Sequence, residues 1–463
     1  MYDLPAMSRE EQGQQDDGPH EIRALLHIVW PLIVTNLLNV AVGIADMKMV
    51  GVLGVAPLAA VGMSRQVFML VLSLMIAITG GASVLVAHAY GARDPRRVSA
   101  VAARSVVFML LTAVLVVMPL GFLFARDILG MLGARAAVAQ LGERYLQVLF
   151  GGCVFTMLNF VTTGILLGVG KTWVSMSILG VVNLLNVLLN YVFIFGAGPV
   201  PALGVTGAAV GTVTARGLGS IACVWALRTR HLPVRMRLRD GLRPDLVLLG
   251  RILSIGGPRT LQGLVRNFSR LAVIRIIALC AAPTRSIAAY NVGMQVRFIS
   301  TFVGLAFMQA TMSRVGQNLG ARRPARAKQS GHCGAGLAAG IMGTAALFFL
   351  LFPERIMAFF SSDRDVIAMG RGFFLVVALT EPLMGAAFAY GGALRGGGDS
   401  VSPFLYASVS DLLVLLSASY VLGVRLALGI QGVAIGIALS VLTRAVPSWF
   451  RFRQGRWQAT RFE

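Results

Sequence analysis

The sequence has 463 residues, of which 56% are hydrophobic and only 13% are charged, and its formal net charge is +22. Soluble domains carry about 25% charged residues, so a chain of this length with so few charges could not cover a surface that faces water. The composition therefore excludes an ordinary soluble protein and predicts one whose outer surface faces lipid.

The chain begins with a polar, acidic segment at residues 1–22, which predicts a disordered cytoplasmic tail and not a cleavable signal peptide. Beyond it, apolar runs of about 20 residues or more predict twelve transmembrane helices. The predicted spans are 25–49, 57–88, 99–124, 138–168, 173–196, 203–227, 247–279, 287–317, 330–352, 367–394, 401–423 and 430–450. The predicted fold class is an all-α membrane protein with two six-helix lobes. The predicted domains are lobes at 23–228 and 247–450, a basic cytoplasmic linker at 229–246 and a basic cytoplasmic tail at 451–463.

Two segments of the first predicted lobe return in the same order in the second. Residues 91–97 resemble residues 320–326, at an offset of 229, and residues 202–211 resemble residues 427–436, at an offset of 225. Same-order repeats in a membrane protein indicate two homologous bundles related about the membrane normal, with substrate handled between them. The repeat therefore predicts a transporter.

The basic residues concentrate in alternate loops, near 93–97, 228–243, 322–328 and 451–456. This positive-inside pattern places both termini in the cytoplasm, and it makes anionic lipids the expected partner of the arginines instead of a nucleic acid. The cysteines and histidines show no metal spacing, and no nucleotide-binding, cofactor-binding or catalytic motif is present. We therefore expect no cofactor and no enzyme activity, and transport driven by an ion gradient.

Polar residues mark two helical faces in the first lobe. Asn36, Asn39 and Asp46 share a face of the first span, where a carboxylate is costly unless it faces a cavity or a partner. The Asp46 carboxylate could couple transport to protons. Alternatively, it could reach the membrane interface or pair with Lys48. On the fifth span a second face carries three asparagines that could line a site or hold helices together by hydrogen bonds. They are Asn183, Asn186 and Asn190, and Thr163 could complete the polar lining.

In the second lobe, arginines mark the seventh span. Arg259, Arg266 and Arg270 lie in register, and Glu381 and Asp411 are available partners. Internal ion pairs are one interpretation, and a cationic patch for an anionic or phosphate-bearing substrate group is the other. On the eighth span, Tyr290 could offer a wall for a drug-like substrate or serve ordinary packing.

Short motifs in both halves are similar to one known family. They are Trp30-Pro31, Gly81-Ala82-Ser83, Gly91-Ala92-Arg93-Asp94, Gly168-Val169-Gly170-Lys171-Thr172, Pro258, Leu394-Arg395-Gly396, Gly398-Asp399 and the Leu-Gly-x-x-Gly runs at 203–207 and 428–432. Their order over residues 25–450, together with the twelve predicted spans, resembles the multidrug and toxic compound extrusion (MATE) family.

The resemblance implies a V-shaped pair of lobes, alternating access, and export of organic substrates in exchange for protons or sodium ions. It implies coupling and substrate roles for Asp46. Asn190 matches an aspartate of proton-linked archaeal members, and the acidic positions of the sodium-linked branch fall at Arg266 and Met384, so protons are favoured over sodium. We expect ion coupling by Asp46, Asn186 and Asn190, and a monomer in the bacterial inner membrane.

The remaining site predictions concern the substrate. Its predicted contacts are Asn36, Asn39, Asp46, Thr163, Asn183, Arg266, Arg270, Tyr290 and Glu381. The alternative function is a flippase or exporter of an anionic or lipid-linked substrate that uses the Arg266/Arg270 face.

Overall fold

A computed structural model of the chain describes residues 18–229, 236, 238–241 and 245–459. Within these ranges the regular structure is helical, and the only extended pairing is an isolated bridge between Ala197 and Val200. The predicted all-α class is confirmed.

The described first half contains seven long helices and one single turn. They are α1 (Gly18–Gly51), α2 (Val55–Gly91), α3 (Pro95–Met131), α4 (Ala136–Gly151), α5 (Cys153–Gly168), α6 (Thr172–Phe195), α7 (Gly204–Arg228) and the turn α8 (Leu238–Gly241). Helix α3 begins where the Asp94 side chain accepts a hydrogen bond from the Arg97 backbone N–H at 2.9 Å, with Pro95 in the first turn. A π-helical turn interrupts α3 at Ala113–Val117.

The second half repeats this sequence of elements. Its helices are α9 (Leu246–Ile277), α10 (Pro283–Gly320), α11 (Pro324–Leu351), α12 (Pro353–Phe360), α13 (Arg364–Ala378), α14 (Glu381–Gly396), α15 (Val401–Arg425) and α16 (Gly429–Gln454). Asp363 caps α13, and hydrogen bonds from the backbone N–H groups that follow it hold the pKa of its carboxyl below the usual value. Helix α15 contains π-helical turns at Ser410–Val414 and Val421–Arg425.

Most of these helices can cross a membrane. Among the described residues, eight are long and apolar enough, and ten spans result if each bent pair counts as one. The bent pairs are α4 with α5, at 51°, and α13 with α14, at 48°. The other two predicted spans correspond to α9 and α10, which have 32 and 38 residues but carry several arginines. A multi-pass membrane protein is confirmed.

The duplication is visible in backbone conformation. Arg93 and Arg322 follow α2 and α10, and both adopt left-handed conformations, with φ of 56° and 58°. Gly204 and Gly429 start α7 and α16 with φ of 57° and 59°. A left-handed conformation costs a non-glycine residue about 1–2 kcal/mol. Its presence at both repeat-related arginines shows that the two helices end in the same backbone conformation.

The helices group into two compact units. Unit 1 comprises residues 30–256, and unit 2 comprises residues 18–29 and 257–459 among those described. These bounds differ from the predicted lobes, because α1 begins in unit 2 and α9 begins in unit 1. Gly256 explains the second difference, since a Cβ at this position would collide with the Ala77 carbonyl of α2.

Candidate ion-coupling and substrate sites

Asp46 lies near the end of α1 and faces α6. Its Oδ1 accepts a hydrogen bond from Asn190 Nδ2 at 2.8 Å, and Asn190 Nδ2 also lies 3.5 Å from Asn186 Oδ1. No ion pair joins Asp46 to Lys48 within the described residues, so the alternative in which these two residues pair is wrong. The structure thus brings together the three residues for which an ion-coupling role was predicted.

A second hydrogen bond lies two helical turns away along the same pair of helices. Asn183 Nδ2 donates to Asn39 Oδ1 at 3.2 Å. Both bonds join residues 144 positions apart, so α1 and α6 run parallel and present matched polar faces. Asn36 is half-buried one turn before Asn39. The face predicted from the sequence spacing is therefore a helix–helix seam in unit 1.

Two arginines that sequence reasoning missed lie close enough to Asp46 for their charges to interact with it. They are Arg65 on α2 and Arg216 on α7. Arg65 Nη1 donates to the Gly43 carbonyl of α1 at 3.4 Å, and Arg216 Nη1 donates to Thr156 Oγ1 at 2.9 Å. Each arginine interrupts an otherwise apolar run, and an ionisable residue within a span is by default a functional candidate. That signal could have identified both.

Gly43 permits the approach of Arg65. A Cβ at this position would lie 2.6 Å from Arg65 Nη2. The lining around Asp46 is completed by the Tyr145 side chain, which is buried and senses the Asp46 charge. The site in unit 1 therefore combines one carboxylate, two guanidinium groups and amides, and it is not lined by carboxylate and asparagines alone.

Two further hydrogen bonds in unit 1 involve predicted residues. Asn186 Nδ2 donates to Thr212 Oγ1 of α7 at 3.1 Å. Thr163 Oγ1 donates to the Asn159 carbonyl of its own helix at 2.9 Å. No hydrogen bond between described residues links Thr163 to Asp46, so its substrate role stays a prediction.

In unit 2, Glu381 is fully buried at the start of α14. Its Oε1 accepts from Arg297 Nε at 2.7 Å and its Oε2 accepts from Ser300 Oγ at 2.6 Å. The partner arginine comes from α10, so the interpretation in which Glu381 pairs with an α9 arginine is wrong. The carboxylate is sealed inside a three-residue network.

Asp411 also has an unpredicted partner. Arg444 Nη2 of α16 lies 2.5 Å from its Oδ1. Arg266 interacts electrostatically with both members of this pair, but it forms no ion pair with Asp411 among the described residues. The interpretation in which the α9 arginines neutralise the two carboxylates is therefore wrong.

Arg266 and Arg270 belong to different surroundings. The charge of Arg270 interacts electrostatically with Tyr290, whereas the charge of Arg266 interacts with Arg444 and Asp411. Tyr290 lies in the hydrophobic core of unit 2, 3% exposed, with its ring 6.1 Å from that of Phe373 in an edge-to-face contact. The predicted Arg266/Arg270 face is thus divided, and Tyr290 packs as a core residue.

A metal centre is not apparent in the described ranges, where no three His, Cys, Asp or Glu side chains come together.

Comparison with known proteins identifies the family. The MatE family model matches residues 31–192 and 258–421, the greater part of the chain.

Relatives of known name match over almost the whole length, and two serve as examples. A probable multidrug resistance protein NorM of Thermotoga maritima is 26% identical over 447 residues, which cover 96% of this chain and 95% of the relative. The multidrug resistance protein NorM of Burkholderia vietnamiensis is 28% identical over 442 residues, which cover 91% of each.

Among solved structures, the chain is similar to an outward-facing multidrug resistance MATE family transporter of the MOP superfamily. The TM-score is 0.85 at 22% identity, and the match covers 97% of this chain and 100% of the other. At this level of identity the similarity shows the fold.

Proposed function

The chain belongs to the MatE family of membrane transporters, and we propose that it exports organic, multidrug-like substrates in exchange for protons, with Asp46 as the coupling residue. It is a transporter and not an enzyme. Multidrug resistance relatives that match over nearly the full length support the substrate class.

The observation that carries the coupling role is the 2.8 Å hydrogen bond between Asp46 and Asn190 beside two arginines. When the carboxylate is charged, it accepts from Asn190 and partly neutralises Arg65 and Arg216. A proton on Asp46 removes that neutralisation and leaves the two cations in a poorly solvated site. The cost favours repacking of α1 against α6.

This repacking links the proton to the substrate. A cationic substrate and a proton both require the same carboxylate, so they bind Asp46 in alternation. Arrival of a proton from outside releases the substrate outward, and loss of the proton to the cytoplasm restores the charged site. We propose that Asn186 and Asn190 hold the carboxylate, and that Asn36, Asn39 and Asn183 extend the polar seam along which the substrate binds.

The test is substrate accumulation in everted membrane vesicles under an imposed proton gradient without sodium. We expect Asp46→Asn to reduce the initial rate at least about tenfold, because the variant keeps a hydrogen-bond acceptor but cannot exchange a proton. The matched control is Asp365→Asn, at an exposed aspartate that pairs with Arg285 on the surface. Equal rates for Asp46→Asn and wild type would refute the mechanism.

A second arm separates the two coupling ions. A sodium gradient is imposed while the pH is equal on both sides. Substrate accumulation under this condition alone would assign sodium in place of protons. We expect none, because the proposed cycle requires a proton on Asp46.

The location follows from the charge pattern. We propose that the protein is a monomer in the bacterial inner membrane with both termini in the cytoplasm. The arginine-rich turns after α2 and α10 then meet anionic lipid headgroups at the cytoplasmic face.

The alternative function, transport of an anionic substrate, is supported by a group of arginines in unit 2.

A further inference from the structure

Four arginines of unit 2 approach one another closely enough for their charges to interact. They form what we call the arginine cluster: Arg259, Arg266, Arg395 and Arg444. Arg259 and Arg266 are seven residues apart and share a face of α9. Arg395 lies at the end of α14, and Arg444 lies within α16. Three separate helices therefore direct positive charge to one region of one unit.

This charge is not balanced by the described part of unit 2. Asp411 pairs with Arg444 and is the one carboxylate that acts on the arginine cluster among the described residues. Glu381 and Asp399 are engaged by other arginines elsewhere. Four guanidinium groups against one carboxylate leave three positive charges. Like charges held close together repel one another, and Arg395 is also buried, so the cluster would be stabilised by an anion from outside the chain.

The hydrogen-bond donors of the arginine cluster are also incompletely used. Arg395 is 5% exposed, and its Nη2 donates to Gln262 Oε1 at 2.5 Å. Its Nη1 faces only the weakly accepting sulfur of Met308, and its Nε is buried without a partner. Arg444 Nε is likewise unpaired. Arg259 is half-buried and Arg266 is exposed, and neither forms a hydrogen bond or ion pair with any residue that the structure describes. The buried Nε donors of Arg395 and Arg444 lack acceptors, which is unfavourable, and an oxyanion at the arginine cluster would satisfy them.

From this geometry we infer that the arginine cluster binds a phosphate-type oxyanion. Guanidinium groups present paired donors that match phosphate oxygens, and a phosphoryl dianion offers the acceptors and most of the charge that the cluster lacks. The inference rests on the proposed export function and adds to it a second ligand class, compounds that carry a phosphoryl group. The headgroup of an anionic lipid presents the same chemistry.

The experiment is isothermal titration calorimetry of the full chain in phosphatidylcholine nanodiscs, with phenyl phosphate as the probe. We expect wild type to bind it, and Arg266→Gln to weaken binding at least about tenfold. Arg266→Lys keeps the charge but loses the paired donors, so we expect a smaller loss. The control is Arg371→Gln, at an exposed arginine of the same unit that pairs with Glu354 on the surface, and its affinity should equal that of wild type.

A second set of nanodiscs, containing phosphatidylglycerol, distinguishes the two sources of the anion. If phosphatidylglycerol suppresses phenyl phosphate binding to wild type, a lipid headgroup occupies the arginine cluster. If binding is unchanged, the site is selective for a soluble phosphoryl compound. Absence of binding in phosphatidylcholine, or equal binding by wild type and Arg266→Gln, would overturn the inference.

The same variants separate this inference from the export proposal. Failure of phenyl phosphate to bind, alongside export that depends on Asp46, refutes the anion site and leaves the exporter standing. Binding that depends on Arg266, alongside export that is unaffected by Asp46→Asn, refutes the coupling mechanism and leaves the anion site. Monodisperse elution of each variant in gel filtration is required before titration.

Discussion

At the residue scale, the two units use buried carboxylates differently. Asp46 is half-buried, accepts one amide hydrogen bond and has two arginines near it without an ion pair. Glu381 has no exposed surface and is held by a direct ion pair and a hydroxyl. A loosely satisfied carboxylate can change its protonation and partners at small cost, whereas a sealed one cannot. This contrast favours Asp46 for coupling and assigns Glu381 to structure.

The structural role of Glu381 predicts a large loss of stability in Glu381→Gln. Arg297 would remain buried with its charge uncompensated, and its Nη2 already lacks a partner. Breaking a buried pair in this way costs about 3–5 kcal/mol, so the thermal unfolding midpoint of the purified protein should fall by several degrees. Glu354→Gln, which breaks the exposed pair with Arg371, is the matched comparison and should change the midpoint little. Similar midpoints for both variants would contradict the assignment.

The sequence predicted the positions of the buried charges better than their partners. Helical spacing placed Asp46 on one face of α1 and Asn186 and Asn190 on one face of α6, and the resemblance to the MATE family grouped the three residues. The partners of Glu381 and Asp411 were missed, since they depend on how neighbouring helices are rotated. Periodicity within one span carries no information about that rotation.

At the element scale, the repeated Leu-Gly-x-x-Gly runs have a packing function. A Cβ on Gly207 would collide with the Phe193 carbonyl, and a Cβ on Gly211 would lie 2.9 Å from the Asn190 backbone N. In the second half, Gly432 and Gly436 approach α15 in the same way, with Ser419 Oγ 2.6 Å from a Cβ on Gly436. Small residues four apart let membrane helices approach closely. The repeat thus preserves close contact between the last two spans of each half.

This contact also positions the coupling site, so Gly211→Ala should impair transport. The added methyl would strike Asn190 Oδ1 and displace the amide that donates to Asp46. Overpacking of this kind costs about 1–3 kcal/mol, and we expect a lower unfolding midpoint together with slower proton-driven accumulation in everted vesicles. Gly217→Ala on the same helix is the control, because its Cβ would be an ordinary 3.6 Å from Phe155. Wild-type transport by Gly211→Ala would show that the position of Asn190 does not matter.

The existence of the elements was predictable because a span needs a long apolar run, and each of the twelve predicted spans corresponds to a helix or a bent pair of helices. The bends themselves were not predictable. Gly152 separates α4 from α5, and a Cβ there would collide with Val213 of α7. The reason for that break lies in a neighbouring helix and not in the local sequence.

At the scale of the whole molecule, the units are not the two halves of the sequence. Residues 18–29 of α1 group with unit 2, and residues 246–256 of α9 group with unit 1. The two divisions fall at repeat-related places, each just before a proline within the helix, Pro31 or Pro258. Duplication has therefore preserved an arrangement in which the leading helix of each half begins in the other unit. Sequence similarity between the halves could not reveal this arrangement, because the two halves would be equally similar whichever unit each leading helix began in.

Residues 18–29 of α1 are held in unit 2 by a buried cluster of side chains around Glu21. This cluster leads to a testable prediction. Glu21 Oε2 lies 2.7 Å from Arg314 Nη2, and Glu21 Oε1 accepts from Ser330 Oγ at 2.6 Å. Loss of this charge in Glu21→Gln should release the start of α1 while the rest of the helix stays packed in unit 1. Breaking a buried pair costs about 3–5 kcal/mol. This exceeds the roughly 1.4 kcal/mol that corresponds to a tenfold change in an equilibrium constant, here the constant for local opening of the helix. Amide hydrogen exchange should therefore accelerate at least about tenfold in residues 18–29 and remain unchanged in residues 36–51, which serve as the internal control. Equal acceleration along the whole of α1 would mean that the helix responds as one body and that its division between the units has no energetic counterpart.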